Sequence, residues 1–295
     1  MPTDTDTDLW DSVPWQTTSL FHHKPNIPYL SPSHPLQTLS VWLPSTSPLP
    51  PTFPIQGTWI IYLHGGAWRD PRIDASSFEA TTSHILKAKN PNLAGLVSVN
   101  YRLSLHPEFP SDTNTARHPD HISDVLCAVA FLQRLGIAKR YILAGHSCGA
   151  TMAFQAVMKP EKWGLEAEIG LPETVVGVNG LYDLAGFVRK PDRGYEGLRE
   201  AYEEFTRGAF GGEEAVWREV CPTSAGRGCW VKGEWDVVLV QSKEDRLVPR
   251  GQLEGLRRRL EAEGREVKEM EAGGEHDGIW EEGGRLAEIL GSLIL

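Results

Sequence analysis

The ten residues YILAGHSCGA, positions 141–150, decide how this chain is read. Tyr141–Ala144 is a short apolar run of the kind that forms a buried strand, and Ala150–Met158 has helical spacing. Between them stands Gly145-His146-Ser147-Cys148-Gly149, a G-x-S-x-G pentapeptide. A serine held at a sharp strand-to-helix turn has its oxygen exposed, which is what a nucleophile needs. The flanking residues Gly145 and Gly149 carry no side chain to keep strand and helix apart. The amide of Cys148 falls at the helix start, where it can donate to a developing oxyanion with help from the helix dipole. The pentapeptide alone recurs by chance; the strand before it and the helix after it make Ser147 the candidate nucleophile.

Upstream, Trp59–Leu63 reads as another buried strand, and it runs into His64-Gly65-Gly66-Ala67-Trp68. A glycine pair after a strand lets the backbone turn so that successive amides face one space. Gly66 and Ala67 are the preferred donors, with Gly65 making the turn and the Cys148 amide completing the oxyanion hole. His64 is read as a structural hydrogen-bonding residue, because such a loop supplies donors and not proton transfer. Trp68 could wall a small acyl pocket or simply fill the core.

Downstream, a serine nucleophile on this kind of turn is followed by an acid and then a histidine, the chain order of α/β-hydrolases. The strand Val237–Val240 precedes Asp245, the expected acid. Glu244 is read as a solvated loop charge, and Asp183, after the strand Val175–Val178, is a weaker rival. Val267–Glu271 is the expected last strand. His276 in the loop beyond it is the one histidine after His146, so it is the expected base.

Strands at Leu39–Leu43, Trp59–Leu63, Leu96–Asn100, Tyr141–Ala144, Val175–Val178 and Val237–Val240 alternate with helical spacing at about 74–89, 119–135, 149–158, 250–263 and 282–293. The pattern predicts a mostly parallel central sheet with helices on both faces, and together with the Ser147 turn and the acid-then-histidine order it predicts an α/β-hydrolase fold. Residues 184–235 break the alternation and are expected to form a small helical cap insertion. Residues 1–8 alternate Thr and Asp after Met-Pro and are expected to be disordered, within a flexible tail over 1–25 that precedes the hydrolase domain over 26–295. Eleven of the 21 prolines fall before residue 55, so that stretch should be extended or looped.

A formal net charge of −10 argues against nucleic acid and anionic membrane surfaces as partners. The amino terminus lacks the basic and apolar regions of a signal peptide, and no run of 18 apolar residues occurs, so a cytoplasmic protein is expected. Four cysteines without a CxxC pair suit a reducing compartment. His118, His121 and Asp124 share a helical face, but no fourth ligand or metal signature accompanies them, and Asp120 reads as a cap. No metal and no nucleotide cofactor is expected.

His64–Pro71 (HGGAWRDP), Asn100–Leu103 (NYRL), Gly145–Thr151 (GHSCGAT), Gly180–Leu184 (GLYDL) and Glu275–Asp277 (EHD) resemble the fungal kynurenine formamidases, arylformamidases of the hormone-sensitive-lipase-like branch of α/β-hydrolases. The matches run in order over roughly residues 55–280. The resemblance implies hydrolysis of the small molecule N-formyl-L-kynurenine to L-kynurenine and formate, in tryptophan breakdown toward NAD synthesis. It also implies no cofactor, often a homodimer, and triad roles for Ser147, Asp245 and His276. Arg69, Arg102 and Arg246 are candidates to pair with the substrate carboxylate. The rival readings are a general short-chain carboxylesterase and a non-enzymatic ligand receptor on the same fold; receptors tend to lose a triad member, and all three types are present here.

Overall fold

A computed structural model describes residues 2–51, 53–159, 163 and 169–295. Its strands are β1 (Gln16–Thr17), β2 (Phe21–Pro28), β3 (Thr38–Pro44), β4 (Thr58–Leu63), β5 (Leu93–Val99), β6 (Tyr141–His146), β7 (Thr174–Val178), β8 (Asp236–Gln241) and β9 (Val267–Glu271). They form one sheet in the order β1-β2-β3-β5-β4-β6-β7-β8-β9. Pairing is antiparallel from β1 to β5 and parallel from β5 through β9. This is the mostly parallel sheet of an α/β-hydrolase.

Every residue of β4, β5 and β6 is buried, which is why these strands are continuous apolar runs without polar alternation. Successive side chains go to opposite faces. Trp59, Ile61 and Leu63 join one core, packed under helices α3 (Asp120–Arg134), α4 (Cys148–Gln155) and α8 (Arg250–Ala262). Ile60 and Tyr62 join the other, under α2 (Glu79–Lys87) and α10 (Gly284–Gly291). The helix expected over 282–293 is in fact two, α9 (Gly278–Glu282) and α10, meeting at Gly283 in the left-handed region (φ 71°).

The amino-terminal stretch differs from the expected flexible tail. Met1 lies outside the described residues, but Asp4–Asp11 is helix α1. The Thr-Asp alternation is a capping signal: Thr3 Oγ1 accepts from the Asp6 amide at 3.1 Å, and Asp6 Oδ2 accepts from the Thr3 amide at 3.0 Å. Arg134 forks onto the Asp6 carboxylate at 2.8 and 3.0 Å and, as the main cause, holds its pKa down to about 2. Trp10 is buried, edge-on to Trp15 and Phe53. The Pro-rich stretch that follows is extended as expected, but it pairs as β2. Pro25 and Pro28 are tolerated because β1 covers only His22 and His23 on the outer side, leaving the rest of β2 as an edge.

Residues 184–235 carry α5 (Leu184–Arg189), α6 (Arg199–Phe210) and α7 (Glu214–Val220) between β7 and β8. Tyr202, Phe205, Thr206, Ala209 and Phe210 are buried at helical spacing, so α6 turns one apolar stripe toward the body of the protein. No helix among the described residues is long and apolar enough to cross a membrane.

Candidate active site

Ser147 lies between β6 and α4 with φ 54° and ψ −119°, a conformation that L residues seldom adopt. The turn is that tight because strand and helix touch. A Cβ on Gly145 would stand 2.1 Å from the Gly149 carbonyl oxygen, and one on Gly149 would stand 2.2 Å from that of Leu63. The Ser147 amide donates to the Val178 carbonyl at 2.9 Å, which ties the turn to β7.

The loops after β8 and β9 bring Asp245 and His276 together. His276 Nδ1 lies 2.8 Å from Asp245 Oδ2, and both side chains are buried. A carboxylate only accepts, so Nδ1 carries a proton, and Nε2 is the ring nitrogen left to exchange one with serine. Asp245 Oδ1 accepts from the amides of Leu247 and Val248, each at 2.8 Å, and Gln241 Nε2 donates to Oδ2 at 3.2 Å. Asn179 joins the two loops: its Nδ2 donates to the His276 carbonyl at 2.9 Å, and its Oδ1 accepts from the Ser242 amide at 3.0 Å. His146 Nε2 donates to the same His276 carbonyl at 2.9 Å.

Ser147 and His276 border one cavity of about 280 Å³, together with Gly66 and Ala67 on one side and Tyr202 and Phe205 of α6 on another. Among the described residues no hydrogen bond joins the Ser147 hydroxyl to His276. Such contacts are commonly long in a resting enzyme and tighten around substrate. A larger hollow of about 720 Å³ lies beside His276, lined by Arg246 and residues 272–279. Ser147 does not border it, so the chemistry belongs to the smaller cavity.

The loop after β4 is held from behind. Gly66, Ala67 and Trp68 are all left-handed (φ 96°, 49° and 60°). Two such non-glycine residues in succession store on the order of a few kcal/mol of strain, so other contacts must fix them. Tyr101 Oη directs its proton at the carbonyls of His64 (2.9 Å) and Gly65 (3.1 Å), and the Trp68 amide donates to Cys148 Sγ at 3.3 Å. His64 stacks on Tyr101, donates from Nδ1 to the Gly65 carbonyl, and is pushed down to about 4 by burial, so it is neutral. Trp68 is fully buried, edge-on to Phe210, and does not border the cavity. His64 and Trp68 therefore support the loop, while Gly66 and Ala67 face the cavity. The amide of Cys148 opens α4, where no intrahelical acceptor exists.

Of the other residues singled out in the sequence, Asp183 caps α5 by accepting from the Gly186 amide at 2.9 Å, and Glu244 is exposed. Asp124 accepts from Arg102 and Gln37, and His121 Nε2 pairs with Ser104. His146, His276 and Asp277 hold metal-capable atoms within 4.8 Å of one another. All three are already engaged, His146 with the His276 carbonyl, His276 with Asp245 and Asp277 with Trp280 Nε1. Sequence reasoning missed the bridging of Asn179 and the support given by Tyr101. Asn179-Gly180 directly after a strand is a turn signal that could have marked the first.

A family model described as BD-FAE matches residues 49–260. The chain is 36% identical over 291 residues to the kynurenine formamidase-like hydrolase fscH of Fusarium equiseti, covering 92% of this chain and 94% of that protein. It is 36% identical over 242 residues to the kynurenine formamidase avaC of Aspergillus versicolor, covering 75% and 83%. Among solved structures, an inhibited esterase B from Lactobacillus rhamnosis superposes with a TM-score of 0.72 at 13% identity, covering 98% of this chain and 89% of that one. At that identity the likeness carries the fold alone.

Proposed function

The chain belongs to the kynurenine formamidase family, within the hormone-sensitive-lipase-like α/β-hydrolases, and from that premise we propose that it hydrolyses N-formyl-L-kynurenine to L-kynurenine and formate. The observation that carries the site assignment is the Asp245–His276 pair bordering the same cavity as Ser147 and the Gly66–Ala67 backbone.

In the proposed mechanism Ser147 Oγ attacks the formyl carbon while its proton passes to His276 Nε2, and Asp245 holds the imidazole in that tautomer. The carbonyl oxygen becomes an oxyanion held by the amides of Gly66, Ala67 and Cys148. The C–N bond then breaks as His276 returns the proton to the aryl nitrogen. Water, deprotonated by His276, adds to the formyl ester, and formate leaves with Ser147 Oγ reprotonated. No step calls on a cofactor. In this reading the helices within residues 184–235 act as a cap on the cavity.

The test is appearance of kynurenine from N-formylkynurenine by the purified wild type beside Ser147→Ala. Turnover by the wild type and none by the variant is expected; full turnover by Ser147→Ala would reject the nucleophile. The esterase-like fold favours one second reading, a short-chain carboxylesterase with the same residues. A higher kcat/KM on p-nitrophenyl acetate than on N-formylkynurenine would select it. A cytoplasmic homodimer is part of the main reading, and sedimentation of the full chain tests the dimer.

A further inference from the structure

We propose that Arg69 and Glu204 form a subsite that reads the zwitterionic α-amino-acid head of the substrate, Arg69 taking the carboxylate and Glu204 the ammonium. The proposal rests on the reading of the chain as a hydrolase of formylated aryl amines. N-formylkynurenine is such an amine with an α-amino acid at the far end of its side chain. A cavity walled by Leu198, Tyr202 and Phe205 can take the aryl ring, but neither charge of the head is stable there without a partner.

Among the described residues bordering the cavity, Arg69 is the single Lys or Arg. It is also under-used. Arg72 forks onto Asp70 at 2.9 and 2.7 Å, Arg102 onto Asp124 at 2.9 and 2.8 Å, and Arg134 onto Asp6 at 3.0 and 2.8 Å. Among the described residues the Arg69 side chain makes one hydrogen bond, at 3.4 Å, to Glu204 Oε2, so most of its five N–H donors are open to a ligand. That side chain is 14% exposed and borders the cavity, whereas that of Glu204 is 54% exposed and stands outside the lining, reached through its contact with Arg69. The guanidinium lies 6.0 Å from the Phe205 ring centre, so the same arginine adjoins the aryl wall.

The alternatives are committed elsewhere. Arg102 is held by Asp124 and does not border the cavity, and Arg246 borders the neighbouring hollow. Of the cavity's carboxylates, Asp70 is taken by Arg72 and Asp277 by Trp280. Arg69 and Glu204 thus present opposite charges a hydrogen bond's length apart. An α-amino acid carries its own opposite charges on a single carbon, and in reversed order they match this pair.

Three substrates test it: N-formyl-L-kynurenine, N-formylkynurenamine, which lacks the carboxylate, and 2-formamidoacetophenone, which lacks the whole head. Arg69→Met should raise KM for N-formyl-L-kynurenine roughly tenfold or more, since a charge-assisted bond is lost. It should leave kcat within about twofold, as expected for loss of uniform binding. The same variant should leave KM for the other two substrates unchanged, which also shows that it is folded. Glu204→Gln should raise KM for the two ammonium-bearing substrates roughly two- to fivefold, as suits an exposed pair. Equal losses on all three substrates, or an unchanged KM for N-formyl-L-kynurenine, would overturn the subsite. Arg69→Lys keeps the charge and should recover part of the loss; if it does no better than Met, carboxylate pairing is rejected. A wild type that cleaves none of the three overturns the reading beneath the proposal, whereas one that cleaves the neutral formanilide but is blind to Arg69 overturns the subsite alone.

Discussion

His276 Nδ1 and Asp245 Oδ2 are 2.8 Å apart, and the second oxygen of that carboxylate is taken by the Leu247 and Val248 amides. The aspartate is therefore fixed at both oxygens, and the imidazole can satisfy it only by turning its Nδ1 proton inward. Nε2 is left as the acceptor beside the cavity that Ser147 borders. The pair sets a tautomer more than it supplies a charge, and that distinction is testable.

Asp245→Asn keeps an oxygen for the two backbone amides but puts an amide group opposite His276. The imidazole would then accept at Nδ1 and carry its proton on Nε2, where it cannot take one from serine. We expect kcat to fall by about 10⁴-fold with little change in KM, on the precedent of serine triads. Steady-state kinetics beside a thermal melt checks it; a melt within a few degrees of wild type and kcat within tenfold would mean that the tautomer is set some other way.

Asn179 spans the acid-bearing and base-bearing loops by accepting from Ser242 and donating to His276. Asn179→Ala leaves the buried Ser242 amide unsatisfied, at about 1–3 kcal/mol, and removes one of two donors from the His276 carbonyl, which keeps only His146. A lower urea midpoint should accompany a fall in kcat of roughly ten- to a hundredfold, because a small displacement of the base is costly. Unchanged kcat in a destabilised variant would reduce Asn179 to a purely structural bond.

Tyr101→Phe keeps the ring stacked on His64 and removes only the hydroxyl that binds the His64 and Gly65 carbonyls. The loop carrying the Gly66 and Ala67 amides should then wander. The loss should fall on kcat, at roughly tenfold or more, because oxyanion donors act on the transition state. A rise in KM at constant kcat would contradict the loop-holding role.

The parallel strands were legible because burial on both faces writes them as unbroken apolar runs, as in Ile60-Ile61-Tyr62-Leu63. The strand-to-helix turn at Ser147 was legible because Gly145 and Gly149 are required by backbone contact that any side chain would block. What stayed hidden was tertiary. Nothing local announces that Asp6 meets Arg134, 128 positions away, so a capped helix read as a polar tail. Prolines mark extended chain but not pairing, so β2 was not separable from a loop. Trp68 is followed and preceded by loop residues, yet its partner Phe210 lies on α6, in the segment whose sequence least resembles the alternating pattern.

The buried neutral histidines make a prediction about pH. His64 is pushed down to about 4 and His121 to about 3, and His146 is also depressed; burial is the first cause in all three. In the unfolded chain each titrates near the ordinary value of about 6.5. Below that pH the unfolded state therefore binds protons that the native state refuses, so stability rises with pH across the window. Their contribution is fully present above about pH 6.5 and is lost as the pH falls; for His64 the loss ends near pH 4. Each such group tilts stability by at most about 1.4 kcal/mol per pH unit, so three of them remove a few kcal/mol by pH 5. Asp6 acts in the same direction only below about 3.8, outside this range. Urea midpoints at pH 7.5, 6.0 and 5.0 should fall in that order at constant m-value. His121→Gln should be less stable at pH 7.5 but should show a shallower fall toward pH 5.0, because one refused proton has been removed. A midpoint independent of pH between 7.5 and 5.0 would mean that these imidazoles find water or a proton acceptor in the native protein, and that the hydrogen-bond pattern assigned around His64, His121 and His146 is wrong.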